Sequence, residues 1–266
     1  MYRFLLRPRW IVFHLLCLIG VVGMIGLGFW QKSRLDDRRA FNALVTARAD
    51  EPMAPVESVV GPPDAEADPL DVEWRTVTAT GTYRADEQVL IVNRSQNGQA
   101  GVNVVTPLEL PDGRLLLVNR GFVPGQGTEP LPPPSGEVEV LGSLRRSQER
   151  AFGQISDPPD GVLTELQRID VPRLAQQLPA PVMPVYLDLA QSVPSQGTFP
   201  IPVPPPELSE GPHLSYMLQW WFFSGCVAVG WVVALRRSIR TRRVSAATAD
   251  AADATAPSGT SPSSSD

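Results

Sequence analysis

The side chains that most often ligate metals or attack substrates are scarce here, and their positions limit the chemistry further. Of 266 residues, two are histidine and two are cysteine. Cys17, Cys226 and His14 all lie inside long apolar runs, which leaves His213 as the one imidazole of the polar part of the chain. Without a C-x-x-C pair or a His/Cys cluster, a copper, zinc or iron–sulfur centre built from soft ligands is effectively excluded. Ser-His-Asp and Cys-His catalysis fall for the same reason. Carboxylates are abundant but form no distinctive pair, and they read as a solvated acidic surface. Arg120, between Asn119 and Gly121 at the end of an apolar run, has two readings. Its guanidinium either grips a carboxylate bidentately or satisfies carbonyls and carboxylates of its own domain. No catalytic residue and no metal centre are expected.

Two apolar segments must position what remains. Trp10 to Trp30 and Tyr216 to Leu235 contain no Asp, Glu, Lys or Arg. Each is about the length that a helix needs to cross a hydrocarbon core of roughly 30 Å. In lipid the backbone must satisfy itself, so both read as helices. The first is too long for the apolar core of a signal peptide and lacks a small-x-small cleavage site, so it reads as a retained anchor. Arg236, Arg237, Arg240, Arg242 and Arg243 follow the second span, and Arg3, Arg7 and Arg9 precede the first. Basic residues are held on the cytoplasmic side. Lys32, Arg34, Arg38 and Arg39 dissent, but the five-arginine cluster is denser, with only His213 just before its span. Both termini are expected in the cytoplasm and the middle outside a bacterial plasma membrane. That middle, residues 31 to 215, carries 15 basic against 25 acidic residues, which argues against nucleic-acid binding.

The chain therefore divides into a cytoplasmic N-terminus (1–9), a first span (10–30), and a helix extension with linker (31–70). An exported β-rich domain (71–215), a second span (216–235), and a cytoplasmic basic flank with a disordered tail (236–266) follow. Pro52 ends the first helix, and residues 52–70 are proline, glycine and acid. Within the domain, Val77, Ala79, Gly81 and Tyr83 alternate with threonines, the period of a half-buried strand. Val89–Asn93, Val102–Leu108, Leu115–Val123, Val138–Leu144 and Val182–Leu189 are further strands, and Asp112-Gly113 marks a hairpin. Asp170 opens a short helix over 171–178. The expected fold is two transmembrane helices flanking a mainly antiparallel β domain, a small barrel or sandwich with one short helix. Clusters at Pro130–Pro134 and Pro200–Pro206 read as stiff connections. Gly20, Gly23 and Gly26 in one span, and Cys226, Gly230 and Ala234 in the other, are small-residue faces on which the spans are expected to pack.

Several motifs occur in a fixed order. Gly28-Phe29-Trp30-Gln31 with Arg34 closes the first span, and Gly81-Thr82-Tyr83 opens the sheet. Gly101 precedes Val104-Val105-Thr106-Pro107-Leu108, and Asp112-Gly113 leads into Leu117-Val118-Asn119-Arg120-Gly121-Phe122-Val123-Pro124. His213-Leu214-Ser215-Tyr216 and Gln219-Trp220 open the second span. This set resembles the Surfeit locus protein 1 family over residues 10 to 240. It departs from it at Phe122, Arg38, Gly211-Pro212 and the segment Tyr186-Leu187-Asp188. The resemblance implies a non-enzymatic assembly factor, a chaperone of the respiratory chain that helps mature the cytochrome c oxidase subunit carrying haem a. The implied partners are that subunit, the machinery that synthesises haem a, and the lipid bilayer. The implied cofactor is haem a, bound transiently.

On that reading His213 is the candidate haem ligand, with Tyr216 and Trp220 supplying aromatic surface beside it. Arg120, Gln31 and Arg34 would contact a partner or a haem propionate. Two bland readings stand beside this one: an interfacial histidine that only hydrogen-bonds, and a tethered scaffold that holds protein partners without haem. A carboxylate hydrolase is the third alternative and requires a cleft with two facing carboxyl groups. His14 lies near the opposite membrane face from His213, too far away to serve as its axial partner.

Overall fold

The computed structural model describes residues 3–125 and 132–254. Its elements in chain order are α1 (Pro8–Ala49), β1 (Ala54–Pro55), α2 (Val56–Val60), α3 (Pro69–Val72), β2 (Thr76–Tyr83), β3 (Val89–Gln96) and β4 (Gln99–Glu109). Then come β5 (Leu115–Pro124), β6 (Glu137–Arg146), β7 (Glu165–Leu166), α4 (Val171–Ala175), β8 (Val182–Val193) and α5 (His213–Ala254). They fall into two compact units. One comprises the chain ends, through Phe41 and from Ser209; the other is Asn42–Leu208.

In the terminal unit, α1 and α5 run antiparallel, and both are long and apolar enough to cross a membrane. Their covered positions recur at alternating steps of four and three. On α1 these are Trp10, His14, Cys17, Val21, Met24, Gly28 and Gln31; on α5 they are His213, Met217, Trp220, Ser224, Val227 and Trp231. A 3.5-residue repeat keeps one seam facing its partner and gives coiled-coil packing. The faces away from the seam are apolar and exposed, Val12, Ile19, Phe222 and Val229 among them, as lipid-facing residues would be.

The expected small-residue faces are not where the helices meet. A Cβ on Gly23, Gly26 or Gly230 would touch nothing within 4 Å, and one on Gly20 would meet only Met24 of its own helix. Cys226 is exposed. Close approach occurs instead at Gly28, where a Cβ would lie 2.1 Å from Trp221 Nε1. Two hydrogen bonds also cross the seam: Ser224 Oγ donates to the Val21 carbonyl (3.4 Å), and Trp231 Nε1–H donates to His14 Nδ1 (2.9 Å). Gly20, Gly23 and Gly26, three apart, and Cys226 and Gly230, four apart, are small but lie off the 3.5-residue seam, whereas Ala234 continues it.

The last turns of α5 also differ from expectation. A disordered tail was expected after the basic flank that ends at Arg243, yet the helix continues to Ala254. Residues 246–254 are mostly alanine, the best helix former, and the Ser245 and Thr248 hydroxyls bond back to carbonyls four residues earlier. The remainder of the expected tail, 255–266, lies outside the described residues, as do residues 126–131 at the start of the first proline cluster.

The central unit is one mixed sheet in the order β1-β2-β6-β8-β5-β4-β3-β7, with a further β2–β4 pairing. That pairing closes β2, β6, β8, β5 and β4 into a five-stranded ring. Closure is brief, Thr82↔Glu109 and Tyr83↔Leu108. It requires Gly81, because a Cβ there would lie 2.2 Å from the Glu109 carbonyl oxygen. Of the two expected forms, barrel or sandwich, the ring is the barrel, and most of its pairs are antiparallel. The β5–β8 pair is parallel, as are β1–β2 and β3–β7. Strand β5 is buried on both faces from Leu115 to Val123, which explains why it reads as a continuous apolar run rather than an alternation.

Val77, Leu108, Leu116, Val118, Val140, Leu144, Val185 and Leu187 fill one core cluster, each at most 1% exposed. A second cluster joins Val89, Ile91, Val105, Leu117 and Tyr186 to Leu166, Ile169, Val171 and Leu174, packing α4 and its approach onto the barrel wall. Asp170 caps α4 by accepting from the Arg173 amide. Residues 52–70, read as linker, are part of this fold. They carry β1, α2 and the start of α3, and Val56 and Val60 are fully buried in the first cluster. Two buried valines among prolines and acids are too few to set up a readable period.

Candidate functional site

The chain enters α5 through a left-handed Gly211 (φ +67) and Pro212, whose carbonyl accepts from the Tyr216 amide at 3.1 Å. This makes His213 the first residue of the helix and puts it on the seam facing α1. There its Nδ1 lies 2.9 Å from Gln31 Oε1. An amide oxygen only accepts, so Nδ1–H donates and the lone pair of the neutral ring falls on Nε2. Gln31 is itself 9% exposed, held inside the hairpin. A ring nitrogen tied to a fixed acceptor is the arrangement that orients histidines for metal ligation. The pair therefore offers one directed nitrogen ligand.

The same end of the hairpin is clamped just before His213. Arg39 forms a two-pronged pair with Glu210, Nε to Oε1 at 2.8 Å and Nη2 to Oε2 at 3.0 Å, and Arg38 Nε donates to the Ser209 carbonyl at 3.0 Å. The hydrogen bond from Arg39 holds the Glu210 carboxyl below its ordinary pKa, and Glu210 raises Arg39 in return. Three residues of α1 thus fix positions 209, 210 and 213. The clamp was not anticipated as part of a site, since its partners are 171 residues apart in sequence.

The other expected site residues are dispersed. Tyr216 stands one turn beyond His213 and is 47% exposed. Trp220, two turns beyond, is half-buried on the seam. Its neighbour Trp221 packs edge-on against Phe29 with ring centroids 5.6 Å apart. Arg34 is exposed on α1 and pairs with Asp37 at 3.6 Å. His14 is bonded to Trp231, about 27 Å beyond His213 along α5 at 1.5 Å per residue. It cannot share a ligand with His213. Among the described residues, no three His, Cys, Asp or Glu side chains gather to hold a metal ion.

Arg120 lies in the other unit and is fully buried. Its Nη1 donates to Gln88 Oε1 at 3.0 Å, Nε to Gln196 Oε1 at 3.3 Å, and Nη2 to the Pro132 carbonyl at 3.4 Å; the guanidinium also lies 5.7 Å from the centre of the Tyr83 ring. This is the structural reading of that arginine. With no exposed surface, it has no face open to a propionate or a partner.

The neighbouring motif residues also do structural work. Asn119 is in register with Asp188 across the parallel β5–β8 pair and donates to its Oδ1 at 2.7 Å, while Arg145 Nη1 reaches Oδ2 at 3.2 Å. Burial pushes the Asp188 carboxyl up from its ordinary pKa, against the pull of Arg145 and Asn119. Burial likewise pushes the Tyr186 hydroxyl up to about 12, where it accepts from Gln148 at 3.0 Å. Gly121 adopts φ +123, and a Cβ there would lie 2.1 Å from the Ile201 carbonyl oxygen.

A hairpin of two membrane-length helices formed by the chain ends, and a closed mixed barrel formed by the chain between, define the class: a barrel domain carried by a helical anchor. The chain belongs to the SURF1 family, whose family description matches residues 18–225. It is similar to an uncharacterised SURF1-like protein of Mycobacterium tuberculosis, 30% identical over 249 residues that cover 90% of this chain and 88% of that protein. A SURF1-like protein of Monosiga brevicollis is 29% identical over 225 residues, covering 80% and 83%. Surfeit locus protein 1 of Xenopus tropicalis is 25% identical over 239 residues, covering 81% and 73%.

Proposed function

We propose that this chain is a membrane-anchored assembly factor for a haem-copper oxidase. In this reading α1 and α5 cross a bacterial plasma membrane, both termini lie in the cytoplasm, and the barrel unit is exported. His213 then stands at the outer mouth of the hairpin and offers Nε2 to haem a on its way to the oxidase subunit. The protein acts as a chaperone of that subunit rather than as a catalyst. The observation that carries the reading is the Gln31–His213 hydrogen bond, which turns the ring so that one ring nitrogen is free to ligate. Family membership and the five arginines beyond the second apolar run support it.

His213 would supply one nitrogen ligand to the haem, and His14, bonded far along the hairpin, would not supply a second. The other ligand comes from the receiving subunit or from solvent, which suits a cargo held briefly. The test is haem a retention by the purified protein. His213→Ala abolishes it in this reading; unchanged retention overturns the role of His213. A second reading, a scaffold that binds protein partners without haem, gains from the burial of Arg120, which removes the expected propionate contact. It predicts that His213→Ala leaves oxidase assembly unchanged.

A further inference from the structure

The central unit holds a cavity of about 620 Å³ bordered by Asn93, Arg94, Gln148, Gln154, Gln167 and Arg168. That volume is in the usual range for small-molecule sites. Two arginines meet there, and their charges are handled differently. Arg168 is neutralised: its Nη1 lies 3.3 Å from Asp157 Oδ2, and Nη2 donates to the Ile155 carbonyl. Arg94 meets only neutral acceptors among the described residues. Its Nη2 donates to Gln148 Oε1 at 3.1 Å and to the Gln167 carbonyl at 3.0 Å. Its Nε is buried and has no acceptor. Burial lowers the Arg94 pKa, and the like charge of Arg168 acts in the same direction.

A half-buried cation without a counter-ion and with an unmet donor costs free energy. In a native fold such a group calls for a bound ion, a water or a function. The backbone is also irregular where Arg94 leaves it. The β3–β4 register shifts between Ile91 and Arg94, and Asn93 adopts φ +58. Bulges redirect side chains, and left-handed non-glycine residues gather at binding sites.

We propose that this cavity binds a small organic carboxylate, held by the Arg94 guanidinium and oriented by the amides of Gln148, Gln154 and Gln167. With Nη2 engaged and Nε enclosed, the guanidinium offers Nη1 for a charge-assisted hydrogen bond to a carboxylate oxygen. The amide oxygens of Gln148, Gln154 and Gln167 already accept from Arg94 and Ile169, from Ala151 and from Asn93, so the amides meet the rest of the ligand chiefly as N–H donors, which suits hydroxyl or carbonyl oxygens. Glu149, exposed at the rim, is the one acidic side chain lining the cavity and the internal competitor for Arg94. The site is independent of His213 and of the function proposed above.

The test uses the full chain in detergent at low chloride, with succinate and inorganic phosphate as probes. Binding is followed by calorimetry and by the NMR signal of the Arg94 Nε–H. Succinate binds saturably and moves that signal. Arg94→Gln weakens it by about tenfold or more, the worth of a charge-assisted hydrogen bond, and Glu149→Gln binds equally or more tightly. No saturable binding up to about 10 mM in wild type and Glu149→Gln, a scale that marks millimolar affinity, overturns the proposal. So does an unmoved Arg94 signal, equal affinity in Arg94→Gln, or binding of phosphate but not succinate. Should Arg94→Gln fail to fold, the wild-type signal and Glu149→Gln decide.

Discussion

Replacing Gln31 by leucine tests whether the hydrogen bond to His213 sets up a ligand. The side chains are similar in size and Gln31 is 9% exposed, so the change keeps the seam filled while removing the acceptor 2.9 Å from Nδ1. The ring then loses what fixes its rotation and keeps the proton on Nδ1. Loss of such an outer partner typically costs about 10- to 100-fold in metal affinity, or about 1.4 to 2.7 kcal/mol. The cost to hairpin stability is that of one hydrogen bond, about 1 kcal/mol. Haem titrations of the purified chain, followed by Soret absorbance, should rank Gln31→Glu at or above wild type, Gln31→Leu about 10- to 100-fold weaker, and His213→Ala weakest. Glutamate keeps the acceptor and raises ring basicity, as carboxylates do in metal-bound histidines. Equal affinity in wild type and Gln31→Leu would refute the reasoning, because His213 would then bind without orientation or not bind at all.

Two further predictions concern the barrel. Asp188 has a pKa raised by burial in the folded state, so its contribution to stability is full below the unfolded pKa and is lost as pH rises through the folded pKa. Wild type should therefore gain stability relative to Asp188→Asn as pH falls from neutral toward about 4, the unfolded value. Melts of both proteins across that window check this, and a gap that widens with rising pH would mean that Arg145 and Asn119 outweigh burial. Val56→Ala removes two methyl groups from a fully buried position, costing about 2 kcal/mol with the cavity included. That should appear as a drop in melting temperature of roughly 4 to 8 °C for a domain of this size; a drop under about 1 °C would restore the linker reading of residues 52–70.

Much of the fold is readable where the signal is local. The absence of charge in Trp10–Trp30 and Tyr216–Leu235, the threonine alternation around Val77–Tyr83 and the Asp112-Gly113 turn all predict elements that the structure contains. Ring closure and the parallel β5–β8 pair are not readable, because neither joins strands adjacent in the chain: β3 lies between β2 and β4, and β6 and β7 lie between β5 and β8. The helix seam was misplaced because glycine spacing is conspicuous, whereas a 3.5-residue run of His, Cys, Met, Gln and Trp is not.

At the candidate site, His213 stands out as the one histidine of the polar chain, whereas Gln31 was expected to contact a partner or a haem propionate and instead bonds the His213 ring. Arg39 and Glu210 look like ordinary surface charges until the hairpin joins them. Arg120, which had two readings, takes the structural one. A basic residue in a Val-Asn-Arg-Gly run looks like a recognition group, yet the strand that carries it is buried on both faces and its donors are used inside. The motifs around Gly81, Asn119, Gly121 and Asp188 serve barrel closure and strand registry, while the proposed haem ligand lies on the hairpin.

The most direct measurement is a reduced-minus-oxidised spectrum of membranes, taken with oxidase activity, from cells in which this gene is deleted or carries His213→Ala. The account predicts loss of the haem a signal and of oxidase activity in both strains, with the other cytochromes unchanged. An intact haem a signal and full activity in the deletion strain, with no second copy of the gene to compensate, would contradict it.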